Sequence, residues 1–334
     1  MLTGQLQWKE RALNKLSDLA GIVGHTPLMK LDHPHINLYC KLEFLNITGS
    51  IKVRPALYAL CEAVKRGQIT EHTVVIESSS GNFAIALATI CKMIGTKFIA
   101  VIDPNISATS EKFLKQIAYD VVKVTDRDET GGYLLNRIHM VQQLQNKISD
   151  SYWTNQYGNP DCYRAYYYGL GEELVSSLEK IDYAFIGVGS GGTVTGLSKI
   201  LKEKLEGIKI VGVDTLGSVI FDQAPRKRHI PGIGSSIKPS ILREASIDEV
   251  IFVSEVDAVT SCNLMFECHG LFVGGSTGSV YHAIQQYFDS IDIGSQPNVV
   301  FLCADGGTAY LDTVYNSEWF EWLHAMENAT TVLS

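Results

Sequence analysis

The sequence predicts an α/β protein of two lobes, each a mainly parallel, twisted sheet flanked by helices. Three observations carry this. Short runs of near-continuous apolar, often β-branched residues, such as Thr73-Val-Val-Ile76 and Asn298-Val-Val-Phe-Leu302, alternate with helical segments. Strands apolar on both faces belong to parallel sheets covered on both sides. At 334 residues the chain is long for one core and comfortable for two. Its composition, 46% hydrophobic and 19% charged, is that of an ordinary globular protein.

Taken in order, a helical N-terminal stretch leads to an apolar segment, residues 37–44, that reads as a strand. A helix carrying Ala56, Leu57, Leu60 and Val64 follows. Residues 73–76 are a strand, 82–93 a helix rich in Ala, Ile and Leu, 97–102 a strand, 111–118 a helix and 120–124 a strand. A second series runs through a strand at 182–186, a helix from Thr193, and strands at 208–213, 250–253 and 298–302. The two series meet around residues 153–160, where aromatic and turn residues replace the periodic pattern. Residues 50–155 are expected to form a smaller, mobile lobe and residues 1–49 with 156–334 a larger one, with the active site between them.

The formal net charge of −8 argues against nucleic acid or an anionic membrane surface as a partner. The most apolar helical stretch, residues 83–91, falls well short of the roughly 20 residues that span a bilayer. The N-terminus lacks a basic start followed by an apolar run, so no secretory signal is visible. The seven cysteines form no C-x-x-C pair and read as reduced thiols, most of them buried, which gives a reducing cytoplasm as the expected compartment and no metal site.

Three motifs carry the chemistry. Lys52 lies in Thr48-Gly-Ser-Ile-Lys-Val-Arg-Pro55, where a turn enters a helix. A lysine must be neutral to attack an aldehyde, and a helix N-terminus and partial burial both lower its pKa. Alone, it reads first as a solvated lysine at a helix start, and the other two motifs reverse that reading. Glu77-Ser-Ser-Ser-Gly-Asn82 joins strand to helix, so its N–H groups suit a carboxylate and the Asn82 amide could bond a phenolic oxygen. A simple N-cap would explain one or two of these polar residues, not four. Gly187-Val-Gly-Ser-Gly-Gly-Thr193 follows an apolar strand and opens a helix, a cradle for phosphate. The same run fits G-x-G-x-x-G, with Asp214 ending the next strand, so spacing alone leaves a dinucleotide open. Amine, polar loop and cradle together are the equipment for pyridoxal phosphate (PLP), an electron sink for amino-acid chemistry, and a dinucleotide site has no use for Lys52 or Asn82. Ser276 in Gly274-Gly-Ser-Thr-Gly-Ser279 opens a further helix, and Ala304-Asp305-Gly-Gly307 follows the last strand. Either could be only a turn. A serine at a pyridine nitrogen leaves it unprotonated, a milder sink that suits β-elimination and replacement.

These blocks resemble the cysteine synthase and cystathionine β-synthase group, the fold type II PLP enzymes of tryptophan synthase β-like fold, over roughly residues 20–316. The segments Asp128-Glu-Thr-Gly-Gly-Tyr-Leu-Leu-Asn-Arg137, Tyr152-Trp-Thr-Asn-Gln-Tyr157, Gly217-Ser-Val-Ile-Phe221 and Ile230-Pro-Gly-Ile-Gly-Ser-Ser236 are further similar to the N-(2-amino-2-carboxyethyl)-L-glutamate synthases of staphyloferrin B-type siderophore biosynthesis. Those enzymes join O-phospho-L-serine to L-glutamate on the route to 2,3-diaminopropionate. The resemblance implies Lys52 as the Schiff-base lysine and Asn82 as partner of the ring oxygen. It implies Gly189, Ser190, Gly191, Gly192 and Thr193 around the phosphate, and Ser276 at the pyridine nitrogen. Ser79, Ser80, Phe83 and Gln156 would receive the substrate carboxylate, and a homodimer is the family's expected state.

An acidic acceptor needs a cation beyond the asparagine loop. Arg137 is the expected one, against a solvated arginine on a helix face, and the run Arg226-Lys-Arg228 is a weaker candidate. The sequence departs from the wider group at Val53, where an aspartate is usual, at Ala84, where a glycine is common, and after Asp305, where charged residues are common. The expected activity is β-replacement on O-phosphoserine with small amino-acid substrates as partners. Its rivals are a sulfhydrylase using sulfide, a serine or threonine dehydratase, and a non-catalytic binding protein, against which an intact Lys52 argues.

Overall fold

The computed structural model describes residues 2–289 and 296–331. Among these, ten strands form two sheets. They are β1 (Leu28–Leu31), β2 (Asn37–Leu42), β3 (Val74–Ser78), β4 (Lys97–Ile102), β5 (Asp120–Lys123), β6 (Ser151–Trp153), β7 (Tyr183–Gly187), β8 (Lys209–Thr215), β9 (Glu249–Val253) and β10 (Asn298–Cys303). One sheet runs β1-β2-β10-β7-β8-β9, the other β5-β4-β3-β6. Every pairing is parallel except that of β1 with β2.

The helices are α1 (Leu2–Ala20), α2 (Val53–Lys65), α3 (Asn82–Ile94), α4 (Ala108–Ile117), α5 (Leu134–Lys147), α6 (Pro160–Ala165), α7 (Glu172–Ser177), α8 (Gly192–Lys204), α9 (Glu255–His269), α10 (Gly275–Asp289) and α11 (Ser317–Thr331). Where the sequence reads a helix from residue 111, α4 starts at Ala108, because the Ser107 side chain caps it by accepting from the Ser110 N–H. β1 and β6 are absent from the sequence reading. β1 is a four-residue edge strand with Met29 and Lys30 exposed, and β6 is only three residues long, so neither shows a period. β2 stops at Leu42, short of residue 44, because Glu43 opens a short 3-10 turn.

Burial follows the two sheets. All five residues of β3 and five of the six in β4 are buried, as strands covered on both faces require. Phe83, Leu87 and Ile90 of α3 pack with Leu57 and Leu60 of α2 and with Trp8 and Leu16 of α1 in one core. Each such side chain contributes roughly 1.5–3 kcal/mol on burial. The N-terminal segment therefore divides: α1 packs beside α2 and α3, while β1 and β2 join the six-stranded sheet. That sheet is covered by α8 on one side, through Val194, Leu197 and Leu201, and by α9 and α10 on the other, through Val259, Met265, Val280 and Ile284. In both sheets the loops that leave β3, β7 and β10 carry the polar motifs, the usual place for a site in parallel α/β proteins.

Candidate active site

Lys52 is the last residue before α2. The turn holding it is stitched to the chain leaving β10, for Ile51 N–H donates to Ala304 O at 2.8 Å and Ser50 bridges to Asp305. The Lys52 N–H donates to Ser50 Oγ at 3.3 Å. Burial lowers the Lys52 pKa, and the nearby Asp305 carboxylate opposes that shift. The amine therefore reaches its neutral, nucleophilic form at lower pH than a free lysine.

The asparagine loop caps α3. Ser79 is buried and its Oγ accepts from Ala84 N–H at 3.3 Å. Ser80 Oγ accepts from Asp103 N–H at 2.8 Å and from Arg137 Nη1 at 3.0 Å. Ser80 spends both lone pairs on the protein and Ser79 one, and each hydroxyl keeps a proton to donate. The first N–H groups of α3 have no acceptor within the helix, so the loop presents several donors at one place. Asn82 Nδ2 donates to Asp305 Oδ2 at 2.6 Å.

A cleft opens between these elements. Lys52, Asn82 and Asp305 line it together with Gly187, Gly189, Ser190, Gly191, Thr193 and Ser276. The glycine loop needs its glycines. Gly191 turns at φ +83° into α8, and a Cβ on Gly189 would stand 3.0 Å from Gly232 O. Gly192 begins α8 and is buried. Asp214, the acid a dinucleotide would need, is not among the lining residues. It is fully buried, its Oδ1 accepts from Thr215 N–H at 2.8 Å, and burial pushes its pKa up to about 6.

Gln156, Phe83 and Arg137 lie beside the asparagine loop. Gln156 is buried, its Nε2 donating to Ser78 O at 3.4 Å. The Phe83 side chain is in the core with Leu57 and Leu60, which leaves only its backbone N–H to face a ligand. Arg137 is buried rather than solvated, with Nε 3.1 Å from Asp103 Oδ2 and Nη1 on Ser80. Its charge is matched within the protein, which weakens its claim to an acceptor's carboxylate. Of the basic run, Arg226 and Lys227 are exposed, but Arg228 is partly buried. Arg228 Nη2 donates to Ser236 Oγ at 3.1 Å, its buried Nε has no partner, and among the described residues it forms no ion pair. Arg137 and Arg228 both pull down the pKa of Tyr157, which burial raises.

Two acids escaped the sequence reading as site residues. Asp305 was visible only as part of a turn, yet it lines the cleft. Glu77 precedes the serines, lies fully buried, and burial pushes its pKa up to about 8. No local pattern marks either, since strand position and burial make them unusual. Among the described residues no cluster of acids, histidines or cysteines could hold a metal, and no helix is long and apolar enough to cross a membrane. The seven cysteines are free and five of them buried.

Comparison with known proteins adds to this geometry. The family described as "Pyridoxal-phosphate dependent enzyme" matches residues 19–305. The O-acetylserine dependent cystathionine β-synthase of Helicobacter pylori is similar at 30% identity and a TM-score of 0.82, over 89% of this chain and 98% of that one. A hydrogen sulfide-producing enzyme of Fusobacterium nucleatum is similar at 28% identity and a TM-score of 0.80, over 88% and 99%. An O-ureido-L-serine synthase shares the fold at 22% identity and a TM-score of 0.82, over 90% and 95%.

Proposed function

The chain belongs to the pyridoxal-phosphate-dependent enzymes, with the cystathionine β-synthase and cysteine synthase fold, and from that premise we propose that it carries out β-replacement on O-phospho-L-serine or another O-activated serine. The incoming nucleophile is an amino-acid amine, L-glutamate first, and the product N-(2-amino-2-carboxyethyl)-L-glutamate. The observation that carries this reading is the convergence of Lys52, Asn82, the 187–193 loop and Ser276 on one cleft.

The residues present fit PLP. At the glycine loop a Cβ on Gly189 would crowd Gly232 O, so the bare backbone leaves room for a phosphate, with Ser190 and Thr193 as lining hydroxyls at the start of a 13-residue helix. Asp305, the one carboxylate among the lining residues, lies with Lys52 and Asn82. Bound there, PLP supplies an electron sink that lets an amino acid lose its α-proton and then its β-substituent. Lys52 would hold the cofactor through its aldehyde carbon, and its neutral Nζ would take the substrate's α-proton. Asn82 would donate to the ring oxygen, and Ser276 would offer the ring nitrogen a neutral hydroxyl; both line the cleft. Ser79, Ser80, Gln156 and the α3 N–H groups hold the substrate carboxylate.

The acceptor is assigned by charge. Glutamate brings a side-chain carboxylate that sulfide lacks, and a partly buried arginine without an ion pair suits it. Arg228, outside the residues that line the cleft and under the charges of Asp214, Glu255 and Asp128 but in no ion pair, meets that description, whereas Arg137, already matched by Asp103, holds Ser80 in place. The smaller four-stranded unit is taken to close on the larger one over the bound substrates, and a homodimer in a reducing compartment completes the reading. Release of phosphate from O-phosphoserine tests it. A replacement enzyme releases phosphate continuously only with an acceptor present, glutamate sustaining it. Continuous release without acceptor, with pyruvate as product, would make this a dehydratase, and a rate sustained by sulfide alone would make it a sulfhydrylase.

A further inference from the structure

Asp305 lies directly behind Asn82. Its Oδ2 accepts two hydrogen bonds, from Asn82 Nδ2 at 2.6 Å and from Tyr310 Oη at 2.6 Å. Its Oδ1 is buried and has no partner. The backbone of Asp305 is itself held on two sides, by the bridge to Ser50 and by Gly274 N–H donating to its carbonyl at 3.0 Å. The bond to Asn82 crosses from the chain leaving β10 of the six-stranded sheet to the start of α3 beside the four-stranded one.

We propose that Asp305 is a positioning residue that fixes the amide of Asn82 toward the cofactor's ring oxygen, an inference that rests on the Asn82 assignment above. The two ends of an asparagine amide are nearly equal in shape, so a neighbour must choose between them. Burial raises the Asp305 pKa, against the bonds from Tyr310 and Asn82 and the charge of Lys52, but Oδ2 accepts in either protonation state when any proton sits on the unpartnered Oδ1, so Asp305 compels Nδ2 to face it and leaves the second N–H of the same nitrogen free to donate into the cleft. A water or hydroxyl in its place could donate as well as accept and would allow the flipped amide. The rigid hold on Asp305 transmits that choice from one sheet to the other.

The geometry sets a sharp test, because only Oδ2 is engaged. In Asp305→Asn the amide oxygen can take the place of Oδ2 and the nitrogen that of the unpartnered Oδ1, so orientation of Asn82 survives loss of the charge. In Asp305→Ala it does not. Equilibrium affinity of the cofactor-free protein for PLP is the measurement, with thermal unfolding of each cofactor-free variant to establish that it is folded. Asn82→Ala and Asp305→Ala should each weaken PLP binding about tenfold, the scale of one hydrogen bond to a charged or buried group. The double variant should be no weaker than either single one, since both remove the same contact. Asp305→Asn should stay within about threefold of the parent. Should Asp305→Ala not fold, Asp305→Ser, too short to reach Asn82, takes its place. Wild-type affinity in Asp305→Ala beside a weakened Asn82→Ala, additive losses in the double variant, or Asp305→Asn as weak as Asp305→Ala would each overturn the positioning role. Wild-type affinity in Asn82→Ala would overturn the Asn82 assignment, and this inference with it.

Discussion

Arg54 Nε donates to Glu43 Oε2 at 2.6 Å, two residues beyond Lys52, while its other nitrogens hold Glu173 at 2.7 and 2.9 Å. Glu173 in turn pairs with the buried Lys41 at 2.7 Å. Two cations and two anions thus balance under the first turn of α2. Burial alone would raise the Glu173 pKa, but the Arg54 bonds outweigh it and bring it down to about 2.

Breaking one partner of a buried network leaves the others uncompensated. Arg54→Ala should therefore lower stability by roughly 3–5 kcal/mol in denaturant unfolding. The lowered carboxyl pKa contributes stability that is complete above the ordinary glutamate range and is lost as pH falls toward 2. The variant should lose most of that acid limb, keeping the part that Lys41 supports. A change below about 1 kcal/mol, the scale of an exposed ion pair, would show that the network does not hold α2.

Lys52→Ala should remove the amine that fixes the cofactor. Borohydride should no longer attach PLP to the chain, and turnover should fall roughly 100- to 10,000-fold, the contribution of a positioned base. A variant that is still labelled by borohydride and turns over normally would place the lysine elsewhere.

Glu77 gives a pH dependence of the opposite sign to Glu173. Its folded-state pKa, pushed up to about 8 by burial, lies above the unfolded value. Stability from the protonated form is present below the ordinary glutamate range and is lost as pH rises through about 8. Thermal midpoints of the parent protein should fall across that window relative to Glu77→Gln, which cannot ionise. Parallel pH profiles for the two proteins would contradict the buried, protonated state.

The two arginines separate by half-reaction. Arg228→Ala should raise the KM for glutamate about 10- to 100-fold, the value of a charge-assisted bond, while a single-turnover burst of phosphate from O-phosphoserine stays normal. Arg137→Ala should slow that burst as well, because it releases the Ser80 hydroxyl of the asparagine loop. The reverse pattern would return the acceptor to Arg137.

Much of this was legible in the residues. Most strands of both sheets are short, near-continuous apolar runs, and the glycine and asparagine loops sit where strand passes to helix, so local pattern sufficed for them. β1 and β6 were not, being too short for a period and fixed by pairing with β2 and β3. Arg137 and Arg228 show the other limit. Sequence supplies two arginines of equal chemistry, and only packing against Asp103, in one case, and the absence of an ion pair, in the other, tells them apart. Asp305 likewise looked like a turn residue until long-range contact set it against Asn82, 223 positions away in the chain.

The measurement that bears most directly on β-replacement with an amino-acid nucleophile is mass spectrometry of the product from O-phosphoserine and nitrogen-labelled glutamate. The account predicts one new species in which the labelled nitrogen is bonded to the serine-derived β-carbon, with phosphate released in equal amount. Cysteine formed with added sulfide and no labelled adduct, or pyruvate formed with either acceptor, would contradict it.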